Sequence, residues 1–169
     1  KQALLSAGRL PFLESIIRPI TVKGDFAMVN VLTGPKGSGK TQQMIDLANQ
    51  AAKVSNGNVV LIKKSHRDTY SVDFSIRAIC MDDYKDIQNV DEFKGFLYGM
   101  VAGNHDIEHL FIDGLLKQVD VSIDNLPKVL DFLKKISDEN KIEIYISLSA
   151  KLEEMANVDF SDCKMLQSV

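Results

Sequence analysis

Cysteine is nearly absent from this 169-residue chain. Cys80 and Cys163 are its only two, and neither belongs to a Cys-x-x-Cys pair. That scarcity excludes a zinc ribbon and a disulfide framework, and a reducing cytosol is the simplest setting for it. Long apolar runs are missing too: none approaches the ~20 residues that a membrane-spanning helix needs. Positive charge is not in excess. Lys and Arg number 20 against 23 Asp and Glu, a formal net charge of -3. Charge therefore does not indicate a broad nucleic-acid surface, although a local basic groove is compatible with it. Arginine is scarce, with Arg9, Arg18, Arg67 and Arg77 the only four. There is no internal repeat, no low-complexity tract and no long linker. What remains is ordinary for a soluble globular protein, 45% hydrophobic and 25% charged. The length suits one domain with a sizeable core.

Against that background one stretch stands out: Gly34-Pro35-Lys36-Gly37-Ser38-Gly39-Lys40-Thr41. It fits G-x-x-x-x-G-K-[ST], the phosphate-binding loop or Walker A motif. The apolar run from Met28 to Leu32 precedes it and reads as a strand. A helical pattern follows, with Met44, Leu47, Ala48, Ala51 and Ala52 on one face. Strand, glycine loop and helix is the context the motif requires. Gly34, Gly37, Ser38 and Gly39 form a loop whose backbone N–H groups converge on a phosphate. The helix N-terminus adds its positive end to that field. Lys40 is then placed to reach the β- and γ-phosphates, and Thr41 to put its hydroxyl on Mg²⁺.

Downstream, His109-Leu110-Phe111-Ile112-Asp113 is an apolar strand ending in a carboxylate. Asp113 reads as a magnesium-supporting Walker B residue, or as an ordinary turn residue with Gly114. Val59–Ile62 is a buried parallel strand, and Phe74, Ile76, Ala78 and Cys80 share one face of a further, edge strand. Helical spacing runs from Asp91, a candidate N-cap, to Gly103. A second helix carries Leu126, Val129, Leu130, Leu133 and Ile136, with Asp124 as cap and Pro127 in the first turn. Residues 142–148 form a strand, 151–157 a short helix and 163–166 a terminal strand. This alternation predicts an α/β fold with a mostly parallel sheet covered by helices on both faces.

Residues 28–169 thus form the nucleotide-binding domain. Residues 1–27 are an N-terminal extension or arm. This stretch begins at Lys1 without a Met, holds Pro11 and Pro19, and has an apolar patch from Phe12 to Ile17. It reads as a foreign or natural extension before Met28, as an arm that docks on a partner, or as a short helix packed on its own domain.

In an open α/β sheet, ligands bind outside the carboxyl ends of the strands. Four groups are expected to gather there: the loop 34–41, Ser65-His66-Arg67-Asp68, Asp113, and Ser147 to Ser149. His66 is a candidate base. Arg67 is a candidate cation for a phosphate in cis, and Asp68 caps a turn or activates water. Lys36 is expected to be exposed. His105 and His109 straddle a turn and a strand start rather than one helix face, so they are not a metal pair.

The order strand, glycine loop, helix, strand and Asp113 strand resembles the P-loop NTPase superfamily over roughly residues 28–150. Within it, the layout is similar to the RecA-like and thymidine-kinase-like branches. The resemblance implies the P-loop fold, ATP and Mg²⁺ as ligands, and a nucleoside triphosphatase. The chain departs from the pattern at Gly114, where such relatives carry a glutamate base, and it lacks the zinc-binding insertion of thymidine kinases. Asp113-Gly114-Leu115-Leu116 is not the D-x-x-G of GTPases, and no N-K-x-D run specifies guanine. Ser149-Ala150-Lys151 is only a fragment of a guanine loop. ATP is therefore the expected nucleotide.

Three functions follow as expectations: a small cytoplasmic ATPase or nucleotide switch, a nucleoside or nucleotide kinase, or a binding module without efficient turnover. The shortage of arginines counts against the kinase. Gly114 predicts slow hydrolysis that depends on a protein partner or on a homo-oligomer.

Overall fold

Runs of Val, Ile and Leu bounded by turns set the strands, and the computed structural model describes residues 28–167. The expectations for residues 1–27 lie outside these. The strands are β1 (Val29–Thr33), β2 (Asn58–Lys63), β3 (Arg77–Cys80), β4 (Ile107–Ile112), β5 (Glu143–Leu148) and β6 (Cys163–Gln167). They form one six-stranded sheet in the order β3-β2-β4-β5-β1-β6. Every pairing in it is parallel. Three α-helices connect them: α1 (Lys40–Val54), α2 (Val90–Gly103) and α3 (Leu126–Asn140). No helix among the described residues is long and apolar enough to cross a membrane.

Strand residues alternate between two faces, and each face is buried by helices. On one face Leu32, Leu61, Phe111 and Tyr145 pack against Met44, Ile45, Leu47, Ala48 and Ala51 of α1. The alanines have little side chain, so α1 lies close to the sheet. On the other face Val31, Ile62, Leu110, Ile112 and Ile146 meet Phe93 and Leu97 of α2 and Leu130, Leu133 and Ile136 of α3. Helices thus cover both faces, as the alternation of elements predicts.

Local chemistry moves several boundaries. Asn89, not Asp91, caps α2: its side chain accepts from the Glu92 N–H at 2.9 Å. Asp91 and Glu92 instead occupy the first turn, where their charge suits the helix N-terminus. Asp124 does not cap α3. The helix starts after Asn125, whose side chain is spent on the preceding turn, accepting from Ser122 N–H and donating to the Asp120 carbonyl. Phe74 is not on a strand face at all, being 99% exposed. Asp73 accepts from both the backbone N–H and the hydroxyl of Ser75, and this turn delays β3 until Arg77. The expected helix at 151–157 is reduced to a 3₁₀ turn, Leu152–Met155.

Two tests of the packing arise here. Gly57 sits where a Cβ would lie 2.2 Å from the Asp106 carbonyl oxygen and 2.7 Å from Glu108 Cγ. The turn into β2 and the turn into β4 touch at this point, and Asn58 N–H donates to Asp106 O at 2.6 Å. Gly57→Ala is expected to destabilise by ~1–3 kcal/mol, the usual cost of overpacking. Chemical denaturation checks it, and an unchanged midpoint would mean that the two turns separate freely.

The second test concerns Tyr145, which stacks on Phe111 with centroids 4.5 Å apart and an interplanar angle of 9° under α1. Burial raises its hydroxyl well above the usual tyrosine value, and the neighbouring Glu143 charge adds to this. The folded state therefore holds a proton that the unfolded chain releases above about pH 10. Stability is fully present below that pH and falls as pH rises beyond it, by about 1.4 kcal/mol per pH unit for one proton. Tyr145→Phe should lessen this alkaline loss. Urea midpoints at pH 8 and pH 11 compare the two proteins, and equal alkaline losses would refute the assignment.

Candidate functional site

Strand order decides what meets at the carboxyl end of the sheet. Strand β5 lies between β4 and β1, so the ends of these three strands are neighbours. From β1 the chain enters the glycine loop. Gly37 and Gly39 have φ of 81° and 82°, in the left-handed region that favours glycine. A Cβ at either position would meet nothing within 4 Å, so the requirement is conformational rather than steric. Ser38 N–H closes the turn on the Pro35 carbonyl at 3.3 Å. Gly39 then caps α1 without any side-chain cap, and no acidic residue occupies the first turn. The uncapped start leaves backbone N–H groups and the positive helix end facing the cleft.

Lys40 is buried, and its ammonium is folded back on the loop. It donates to the Pro35 carbonyl at 2.6 Å and to Ser38 Oγ at 3.3 Å. Burial lowers its pKa from the ordinary lysine value, the nearby Lys117 charge lowers it further, and Asp113 works in the opposite direction. Thr41 faces the other way. Its hydroxyl donates to Asp113 Oδ2 at 3.0 Å, joining the start of α1 to the end of β4.

Asp113 is held from several sides. Its N–H donates to the Ile62 carbonyl at 2.9 Å, which fixes the backbone against β2. Ser147, at the end of β5, donates its hydroxyl to Asp113 Oδ1 at 2.9 Å and accepts the Gly114 N–H at 2.7 Å. Gln118, fully buried, donates to the Asp113 carbonyl at 3.0 Å. Both carboxylate oxygens are thereby aimed, one at Thr41 and one at Ser147.

Between these walls lies a cleft of about 300 Å³. The loop side contributes Lys36, Gly37, Gly39, Lys40 and Thr41. Asp113, Gly114 and Lys117 face them, and the end of β5 adds Ser147 and Ser149. Lys36 is exposed, as expected. Gly34 and Ser38 are not among the lining residues, and Ser38 serves as an acceptor for Lys40.

The structure does not bring residues 65–68 to this cleft. His66 pairs with Asp83 at 2.9 Å on the surface. Arg67 is exposed, and its carbonyl takes a hydrogen bond from the buried Lys63 ammonium. Asp68 adopts φ 60° and opens the 3₁₀ turn Thr69–Ser71, where its carbonyl accepts from Ser71 N–H. His105 is exposed, whereas His109 is buried beside Ser55 and Glu143.

Two residues of the site were not singled out from the sequence: Lys117 and Gln118. A cation four positions after Asp113 was the available signal for the first. Among the described residues, no group of three or more His, Cys, Asp or Glu side chains forms a metal cage. The Thr41 hydroxyl and the Asp113 carboxylate are paired side-chain oxygens in this cleft. Hard oxygen donors of that kind suit magnesium, which keeps much of its coordination for phosphates and water.

No family profile matches the chain, and no curated protein matches it in sequence.

Proposed function

We propose that the cleft binds ATP with Mg²⁺, and that the chain is a small nucleoside triphosphatase of P-loop type with slow intrinsic turnover. One observation carries this reading: the Thr41 hydroxyl and the Asp113 carboxylate meet at 3.0 Å across the cleft, beside an uncapped helix start. A lone glycine turn has no need of a carboxylate braced opposite its helix. A divalent cation and a phosphate chain account for both features at once.

In this reading Lys40 exchanges its bonds to Pro35 O and Ser38 Oγ for the β- and γ-phosphate oxygens. The loop N–H groups surround the same phosphates. Thr41 and Asp113 hold Mg²⁺, which neutralises charge on the phosphates when bound. Ser147 keeps the Asp113 carboxylate aimed. Gly114 offers no side chain to deprotonate or orient water, which is why turnover is slow. Arg67 and Asp68 contribute only if the loop 65–68 folds over the nucleotide. A cytosolic setting and a protein or homo-oligomeric partner belong to the same proposal.

The absence of a carboxylate at position 114 also favours a second reading, a nucleotide-binding module without efficient turnover. A kinase is disfavoured, because neither Arg67 nor Arg77 lines the cleft. Incubation with MgATP, with and without deoxynucleosides, separates the three. Phosphate release alone is expected. A phosphorylated nucleoside would identify a kinase, and bound ATP that stays intact would identify the module.

A further inference from the structure

Lys117 lines the cleft, and the reading above leaves it without a role. It closes the 3₁₀ turn Leu115–Lys117 that follows Gly114, and its N–H donates to the Gly114 carbonyl at 2.9 Å. The residues around it are fixed. Leu115 is fully buried, and so is Gln118, whose amide holds the Asp113 carbonyl at 3.0 Å. Gly114 adopts φ 66°, and a Cβ there would lie 3.2 Å from Lys117 Cδ and 3.6 Å from Cγ. The aliphatic stem of Lys117 therefore runs along the bare side of Gly114. A side chain at position 114 would compete for the space through which Lys117 reaches the cleft.

The charge of Lys117 is also unspent. Its side chain has no hydrogen bond or ion pair with the described residues, unlike Lys40 and Lys63. Its positive charge weighs on Lys40 ahead of that of Asp113. Lys36, Lys40 and Lys117 thus line one cleft in which Asp113 is the only carboxylate among the lining residues. Like charges are held this way at a cost unless a polyanion sits between them.

We propose that Lys117 is a catalytic cation supplied in cis, which contacts the transferred phosphoryl group of the nucleotide and stabilises the charge that builds on it. This rests on the nucleotide reading of the site. In the step concerned, a water oxygen forms a bond to the γ-phosphorus and the bond from that phosphorus to the β–γ bridging oxygen breaks. ADP leaves with the electron pair, and the water proton passes to phosphate and solvent. Lys117 exchanges no proton in this step and only follows the charge. Glycine at 114 and lysine at 117 then form one device: the base is given up and a cation enters. The chain does not need Arg67, or an arginine from a partner, for this contact.

Lys117→Met and Lys117→Arg, each in the full chain, test the proposal. Single-turnover hydrolysis of MgATP is expected to fall ~10²-fold in Lys117→Met, the usual loss for one preorganised charge-stabilising donor. MgADP affinity should stay within about threefold of the wild type, because the contact forms on the transferred group. Aluminium fluoride, which mimics that group, should tighten MgADP binding in the wild type and do so far less in Lys117→Met. Lys117→Arg should recover much of both effects. Hydrolysis at the wild-type rate in Lys117→Met would overturn the proposal. So would an equal loss of MgADP affinity, or no gain from fluoride in the wild type. If the wild type bound neither MgATP nor MgADP, the nucleotide reading itself would fall. Wild-type binding with an indifferent Lys117→Met would overturn the role of Lys117 alone.

Discussion

Lys40→Ala is expected to weaken MgATP binding by ~1.5–3 kcal/mol, the range for losing a hydrogen bond to a charged group. At 1.4 kcal/mol per factor of ten, that is roughly ten- to a hundredfold in Kd. Its carbonyl and hydroxyl partners on the loop are replaceable by water, so the fold should survive the substitution. The pH dependence gives a second signature. The lysine contributes only while protonated, and burial with the nearby Lys117 lowers its pKa from 10.5. Affinity should therefore hold at neutral pH and decline as pH rises, beginning before the range of an exposed lysine. Lys40→Arg should flatten that decline, because a guanidinium stays charged throughout. Calorimetric titration across pH measures both. Unchanged affinity in a folded Lys40→Ala protein would remove the residue from the site.

Asp113→Asn should separate the metal from the phosphate. The substitution keeps the shape but removes the charge and replaces one acceptor oxygen with a donor. Thr41 and Ser147 each give a hydrogen bond to a different carboxylate oxygen, at 3.0 and 2.9 Å, so one of the two pairings must be lost or reversed. Binding of MgATP is expected to weaken by about 1.5–3 kcal/mol. Binding of ATP without magnesium should be unchanged or tighter, since a negative charge next to the phosphates has gone. Comparing the two titrations tests the assignment. Equal losses in both would leave Asp113 as a turn residue.

The two anchors of the site were legible because their chemistry is local. A glycine loop needs left-handed residues at set positions, and Gly37 and Gly39 supply them at φ 81° and 82°. Asp113 follows the apolar run Leu110–Ile112, so its place at a carboxyl end could be read from pattern alone. The α/β class followed from alternating periodicities. What pattern does not contain is strand order. Residues 65–68 follow β2, and both β4 and β5 stand between β2 and β1 in the sheet. Arg67 and Asp68 therefore start with two strands between them and the strand that leads into the glycine loop, although they sit at the same end of the sheet.

Lys117 was hidden for another reason. Its reach into the cleft depends on Gly114 turning left-handed and on Leu115 and Gln118 being buried. None of these is a periodic signal. Phe74 shows the opposite failure. Alternation suggested a strand, but the Asp73–Ser75 turn overrode it.

Binding of ATP by the wild-type chain is the most direct test of the whole account. Isothermal titration with ATP, in the presence and absence of Mg²⁺, should give saturable binding of one nucleotide per chain, tighter with the metal. Neither heat nor saturation at millimolar ATP, with magnesium present and the protein folded, would contradict it.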